Sequence, residues 1–404
     1  MRAASSPPLR ALLALALAMI AAGCGKSATA TPTGGPAAKV APVAAQGTVS
    51  VSTRNTTRLG GADAASDAAA VARAVYPGFT VATRPQAVVL VDERDWPGAL
   101  AASALASSPL GAPLLYGAGG SLPAVSAQTL QSMHPSGSST LGGAQVIRIG
   151  AAAPSPAGYM ARALPAGEPA RQAAEVARLL IAADGGAAPH QVIVVISGAQ
   201  RALQMPAAGL AAESGSPILF VGATRVPGVT AGVLASLHHP AIYVIGYSAA
   251  DRRVLHRLRR FGAVTRIRPA FGEEANAVAG ALAVARFTNG TFGWGVKEPG
   301  HGLVFANASR PLDAPAAALL SATGDYGPLL LLEAAYQIPA ALAKYLGDIQ
   351  PAYTAATPPV KGVYNHGWLI GDERAISAVA QAEIDSLLEI SPRTGESSQE
   401  APVE

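Results

Sequence analysis

One pattern recurs three times along this chain and limits what it can fold into. A small residue, a proline and a bulky apolar run stand together as Ala112-Pro113-Leu114-Leu115-Tyr116, Ser216-Pro217-Ile218-Leu219-Phe220 and Gly327-Pro328-Leu329-Leu330-Leu331. Upstream of them Arg58, Arg162 and Arg266 fall at equal intervals of 104 residues, and each proline follows its arginine by 55, 55 and 62 residues. Self-similarity on this scale means one folding unit used three times.

The parts between these markers repeat as well. An alanine-rich helix is predicted over 64–75, 170–183 and 273–287. A β-rich run follows at 87–91, 192–196 and 302–306, then a small-residue helix at 98–106, 206–212 and 315–322. Beyond the prolines a further strand ends in glycine, at Gly150, Gly246 and Gly371. The proline runs read as buried strands whose first position tolerates the missing N–H. Continuous apolar strands between helices predict an α/β fold with mainly parallel sheets and right-handed crossovers. The repeats divide the chain into modules at 50–156, 157–250 and 251–390. The third holds insertions around 288–300 and 347–362, where aromatic residues and prolines suit either binding loops or packing lids.

The N-terminus addresses location. Arg2 and Arg10 precede an apolar run from Ala11 to Ile20, followed by Ala21, Ala22, Gly23 and Cys24, the only cysteine of the chain. That run is about half the ~20 residues needed to span a bilayer, so it reads as a signal peptide over 1–23. Ala21-Ala22-Gly23-Cys24 resembles a bacterial lipobox, which implies acylation of the Cys24 thiol and a lipid-anchored protein on the outer face of the cell membrane. With no second cysteine there is no intramolecular disulfide, and the fold must rest on its core. Residues 24–49, rich in Gly, Ala, Thr and Pro, read as a flexible tether, and 391–404 as a disordered acidic tail.

Half of the residues are hydrophobic and 13% are charged, a composition that excludes extended disorder. Formal net charge is +4, and cleavage before Cys24 removes Arg2 and Arg10 to leave +2. So small an excess argues against nucleic acid as a partner, and any charge effect has to be local.

Taken in order, Arg-x-x-Gly, a Pro-Ala-Leu-Ala-Ala-like helix, Ala-Pro-[Ile/Leu]-Leu and a strand ending in Ile-Gly resemble the cell wall-binding repeat 2 family. The nearest matches are Arg58-Leu59-Gly60-Gly61-Ala62-Asp63, Trp96-Pro97-Gly98-Ala99-Leu100-Ala101-Ala102 and Ile370-Gly371-Asp372-Glu373-Arg374-Ala375-Ile376-Ser377. The resemblance covers about residues 50–390. It implies three Rossmann-like modules packed as a pseudo-threefold trimer that hold anionic, teichoic-type cell-wall polymer non-covalently. It places polymer contact near Pro113, Leu114 and Leu115, near Pro217, Ile218 and Leu219, and near Pro328, Leu329 and Leu330. The chain also departs from the family. Gly98 stands where an aspartate often precedes the Ala-Leu of the middle helix, with no clear equivalent in the second copy. Ala65 and Asp67-Ala68 replace the aromatic and Thr-Ala of the opening helix, and Arg162-Ala163-Leu164-Pro165 lacks the opening glycine.

Residues 251–268 form the strongest charged feature, with Arg252, Arg253, Arg257, Arg259, Arg260, Arg266 and Arg268 beside His256 and one acid. Val254, Leu255, Leu258 and Phe261 make an apolar stripe at helical spacing, so the arginines face outward. Guanidinium groups bind phosphate and carboxylate in bidentate fashion, and Arg252, Arg253 and Arg257 are the candidate polymer contacts. A solvated helix face is the plainer account of the same residues.

Other motifs reduce to structure. Gly246-Tyr247-Ser248-Ala249-Ala250 looks like a degraded nucleophile elbow, yet Ser248 with Asp251 three residues on is a capping arrangement. Gly117-Ala118-Gly119-Gly120 lacks the lysine and spacing of a phosphate loop. His238-His239 before Pro240 reads as a surface turn, and no histidine spacing suits a metal.

These readings predict no catalytic residue, no cofactor and no metal. They describe a monomeric envelope lipoprotein with internal pseudo-threefold symmetry that binds anionic wall polymer. The alternative is a solute-binding lipoprotein of a transporter, which shares the length, the tether and the α/β content but has two lobes around a cleft.

Overall fold

The computed structural model describes residues 49–246, 251–322, 327–354, 358 and 362–392, all within the unit Gln46–Glu404. The signal peptide, Cys24, the tether up to residue 48, Ser248 and residues 393–404 lie outside the described residues.

The chain enters as an antiparallel hairpin, β1 (Val49–Ser52) and β2 (Thr56–Gly60), followed by α1 (Ala64–Val75). Asp63 starts that helix by accepting a hydrogen bond from Ser66 N. Next come β3 (Val88–Asp92), α2 (Trp96–Ala102), β4 (Leu114–Gly117), α3 (Ala124–Met133), β5 (Val146–Ile149) and β6 (Ala161–Leu164). The second stretch holds α4 (Pro169–Ala183), β7 (Gln191–Ile196), α5 (Arg201–Gln204), α6 (Pro206–Ser214), β8 (Ile218–Val221), α7 (Gly228–Ser236), β9 (Ala241–Val244), α8 (Arg252–Leu258) and β10 (Val264–Arg266). The third holds α9 (Ala277–Arg286), β11 (Gly302–Asn307), α10 (Asp313–Ala322), β12 (Leu329–Leu332), α11 (Ala340–Asp348), β13 (Ala352–Tyr353), β14 (His366–Ile370), α12 (Ala378–Leu388) and β15 (Ser391–Pro392).

Three main sheets result, with orders β4-β3-β5-β6, β8-β7-β9-β10 and β12-β11-β14-β2-β1, and all but the β1–β2 pairing are parallel. The fold is thus mixed α/β with mainly parallel sheets, consistent with Rossmann-like modules. In each sheet the fourth strand carries one of the evenly spaced arginines. Arg162 on β6 completes the first sheet and Arg266 on β10 the second. Arg58 on β2, near the start of the chain, completes the third. The ends of the described chain are therefore tied together. Thr53 Oγ1 and Asn55 N donate to Asp385 Oδ1 at 2.5 and 2.8 Å, and Asn55 Nδ2 donates to Glu389 Oε2 at 2.9 Å.

Register separates the three arginines. Arg58 pairs with Leu369 and Arg266 with Val244, each two residues before the strand-end glycine, but Arg162 pairs with Ile147, three before Gly150. Because successive strand residues face opposite sides, that single step turns Arg162 to the other face. Register alone does not set burial, because Arg266 shares the register of Arg58 yet is exposed like Arg162. Only Arg58 is buried, on a strand that lies between β14 and β1 and packs against α1 and α12, whereas β6 and β10 are edge strands.

The middle helices α2, α6 and α10 pack on one another. Their alanines (Ala99, Ala101, Ala207, Ala211, Ala316, Ala317) are buried, and small side chains let the axes come close. At the α6–α10 crossing a Cβ on Gly209 would stand 2.6 Å from Ser321 Oγ, so no larger residue fits without movement. Residues 289–292 pack against β9. Phe292 stacks on Tyr243 at 3.9 Å between ring centroids, and Asn289 Nδ2 donates to Tyr243 Oη at 2.8 Å. From the second insertion, β13 pairs with β15, so Ser391 and Pro392 at the start of the acidic tail form a short strand.

Candidate functional site

The proline runs are interior. Pro113, Leu114, Leu115, Pro217, Ile218, Leu219, Pro328, Leu329 and Leu330 are all buried. Each proline carbonyl opens a ladder, accepting from Val89 N at 2.8 Å, Ile193 N at 3.0 Å and Val304 N at 3.1 Å. Side chains packed inside three sheets present nothing to a polymer outside. The polymer contact that the resemblance implies for these nine is therefore not offered by their side chains, and the surface nearest to them is the loops at the ends of their strands.

Those loops hold the polar clusters. In a sheet whose second strand lies on one side of the first and whose third lies on the other, the chain leaves in opposite directions and opens a crevice at the carboxyl ends of strands one and three. In the first sheet this is the gap between β3 and β5. It is a cleft of about 360 Å³ lined by Asp92, Arg94, Asp95, Gly150 and Gln172 among others. Asp95 caps α2 through Gly98 N at 3.0 Å, and its other oxygen accepts from Gln172 Nε2 of α4 at 2.5 Å. Arg94 pairs with Asp92 at 2.9 Å in the cleft lining, and this bond holds the Asp92 carboxyl down at about 2.

In the third sheet the corresponding place is filled from within. Arg310 Nη2 donates to Asp67 of α1, and its Nε donates to Asp313 Oδ2 at 2.8 Å. Asp67 is fully buried and also accepts from Gly61 N at 2.7 Å. Burial, with the nearby Asp313 charge, pushes Asp67 up to about 8 despite the opposing pull of Arg310. Burial raises Asp313 as well. It works against the charge on Arg310, but the two carboxylates outweigh it and hold the guanidinium above the ordinary arginine range. Tyr116 Oη from the first sheet donates to Leu312 O at 2.7 Å beside this cluster. Two buried acids around one half-buried guanidinium join α1 to the loop after β11.

Sequence reasoning missed Asp313. It lies six residues after the last residue of β11, as Gly98 lies six after the last residue of β3. Counting from the strand end would have found the aspartate that the first copy lacks.

Arg58 is a second joint. Its guanidinium donates to Gly371 O at 3.0 Å, Ile376 O at 2.6 Å and Gln381 Oε1 at 2.8 and 3.1 Å. Burial lowers its pKa, against the pull of Glu373 and Asp372.

The basic helix forms as the stripe predicts. Val254, Leu255 and Leu258 of α8 are buried and Phe261 is half-buried, while Arg252, Arg253, His256, Arg257, Arg259 and Arg260 are exposed. Asp251 caps the helix by accepting from Arg253 N at 2.9 Å. Five of these side chains, Arg252, Arg253, His256, Arg257 and Arg260, line one shallow depression of about 390 Å³. Ser248 lies outside the described residues. Gly119 and Gly120 adopt positive φ in a turn, and Gly119 N donates to Asp92 Oδ2 at 2.7 Å. His238 and His239 also have positive φ and are exposed before the buried Pro240. Among the described residues no group of three His, Cys, Asp or Glu side chains is placed to hold a metal ion, and no helix is long and apolar enough to cross a membrane.

No family model and no curated protein matches the sequence. The fold, however, is similar to two solved proteins of Clostridium difficile. Cwp8 aligns with a TM-score of 0.61 and 16% identity over 83% of this chain and 52% of its own. Cwp6 aligns with a TM-score of 0.63 and 18% identity over 83% of this chain and 48% of its own. This chain therefore spans about half the length of each, and at such identities the likeness is one of fold.

Proposed function

We propose that this chain is a non-catalytic envelope lipoprotein whose three modules bind anionic cell-wall polymer. The observation that carries this reading is the fold shared over 83% of the chain with Cwp8 and Cwp6, which are cell wall proteins. The exposed arginines of α8 supply cations for an anionic partner. Matching strand orders in the three sheets, with α2, α6 and α10 packed together, support a pseudo-threefold arrangement of modules in one monomer. Sheets that each take a strand from a neighbouring repeat favour it over a two-lobed solute binder.

Cys24 is the lipid-bearing residue in this proposal and sets the protein on the outer face of the membrane. Since the lipid already retains the protein, the modules serve to link membrane and wall.

Sedimentation with isolated cell walls tests the binding. The protein lacking residues 1–23 is expected to pellet with walls at low salt and to be released by high salt. Protein that stays in the supernatant at low salt would remove the reading. Membrane fractionation of Cys24→Ser tests the anchor, and a variant still in the membrane fraction would count against it.

A further inference from the structure

The depression on α8 does not stand alone. Asp251 N, at the start of α8, donates to Ala223 O at 3.0 Å, which seats the helix on the turn after β8. Gly222 N closes that turn on Arg225 O at 2.9 Å. Arg225 in turn lines a cleft of about 710 Å³ together with Arg171, Ser197, Phe220 and Val229, between the start of α4 and the carboxyl ends of β7 and β8. The cleft and the basic helix are thus neighbours on the second module.

Acids are few along this surface. Asp251 pairs with Arg253 at 3.7 Å, and Glu168 lines the cleft. Among the described residues, Arg252, Arg257, Arg259 and Arg260 have no carboxylate within ion-pair distance.

The other modules lack this surface. In the first, the chain from Gly150 to β6 carries no cation before residue 161 and no helix. In the third, the helix in the place of α8 is α12, which carries Glu383 and Asp385, preceded by Asp372 and Glu373. The three copies keep one frame, and only the second is charged in this way.

We propose that the second module carries a single continuous track for a phosphodiester-linked polymer, running from the Arg171–Arg225 cleft onto the outer face of α8. This rests on the wall-binding reading and narrows it, because three repeats then supply one site. Arg252 and His256 stand one turn apart on α8, about 6 Å along its axis, and Arg260 in the turn after the helix lines the same depression, which suits a ligand whose charges recur along a chain. Several guanidiniums around one depression suit a tetrahedral phosphate, whose oxygens accept from many directions. A planar carboxylate is best served by one coplanar fork. The cleft, part apolar and part arginine, accommodates the unit that bears the phosphate.

Titration calorimetry with poly(glycerol phosphate) at low salt tests the track. One polymer segment is expected per protein, with affinity at least tenfold lower in Arg252→Gln/Arg253→Gln/Arg257→Gln and in Arg171→Gln/Arg225→Gln. Lys344→Gln/Arg178→Gln, which changes exposed cations elsewhere, should bind as the parent does, and melting curves confirm that each variant is folded. Three segments per protein, equal affinity for polygalacturonate, or unchanged affinity in both arginine variants would overturn the track. So would binding to phosphatidylglycerol vesicles with no binding to the polymer. Walls bound equally by parent and arginine variants overturn the track and leave the wall reading intact. Walls ignored while the polymer titrates one to one through the arginines do the reverse.

Discussion

Asp95 Oδ2 accepts a hydrogen bond from Gln172 Nε2 at 2.5 Å, in the place where, at another junction, Arg310 donates to Asp67. Asp95 and Arg310 each lie three residues after a strand end, and Gln172 and Asp67 each lie four after a helix cap. One contact has been kept with donor and acceptor exchanged.

The two versions should differ in cost. Arg310→Ala leaves Asp67 and Asp313 buried without their guanidinium donor, and roughly 3 kcal/mol of stability should be lost. Gln172→Ala removes one hydrogen bond from a partly open cleft and should cost about 1 kcal/mol. Urea unfolding of both variants measures the difference, and equal losses would show that the joints are energetically alike.

Stability should fall with rising pH through Asp67. Its carboxyl is pushed up to about 8 in the folded protein, against 3.8 when unperturbed. Between those values the folded state holds the extra proton, so the stabilisation is complete at low pH and is lost as pH climbs toward 8. Asp67→Asn stays neutral and should flatten this part of the profile. Melting temperatures of parent and variant from roughly pH 5 to 8 check the sign, and parallel profiles would contradict it.

Arg58 and Arg162 look equivalent in sequence and should not behave so. Arg58→Ala strips the buried acceptors Gly371 O, Ile376 O and Gln381 Oε1 of their donors and should cost roughly 3 kcal/mol. Arg162→Ala, on an exposed strand face, should stay within about 0.5 kcal/mol. Denaturant midpoints of the two variants test whether an arginine on a strand paired on both sides costs more to remove than one on an edge strand.

The α6–α10 crossing predicts a compensating pair. Gly209→Ala sets a methyl against Ser321 Oγ and should destabilise by about 1–3 kcal/mol. Ser321→Ala removes that oxygen, which is buried without a hydrogen-bond partner, and should be close to neutral alone. The double variant should recover part of the loss, and strict additivity in a double-mutant cycle would argue against the close approach.

Much of the frame is legible in the order of residues. The helix read at 64–75 is α1 residue for residue, and the strands at 192–196 and 302–306 lie within β7 and β11. The stripe of Val254, Leu255 and Leu258 locates the inner face of α8. These features are local, since side chains alternate every two residues in a strand and return every three or four in a helix. The candidate site is less legible. The arginines of α8 can be named from sequence, but not the hydrogen bond from Asp251 to Ala223 that sets them beside Arg225.

By itself, then, the sequence determined an α/β fold with mainly parallel sheets, which runs are strands and helices, and which faces are apolar. Tertiary structure decided which sheet each opening strand joins, so that β2 with Arg58 closes the last sheet instead of beginning the first. It also decided that Arg58 is buried while Arg162, at the matching interval, faces out. The physical reason is that periodicity reports burial along a strand, whereas partner and register depend on residues hundreds of positions away. Arg58 is covered because β2 is paired on both sides, whereas Arg162 and Arg266 stand on edge strands with the same local pattern.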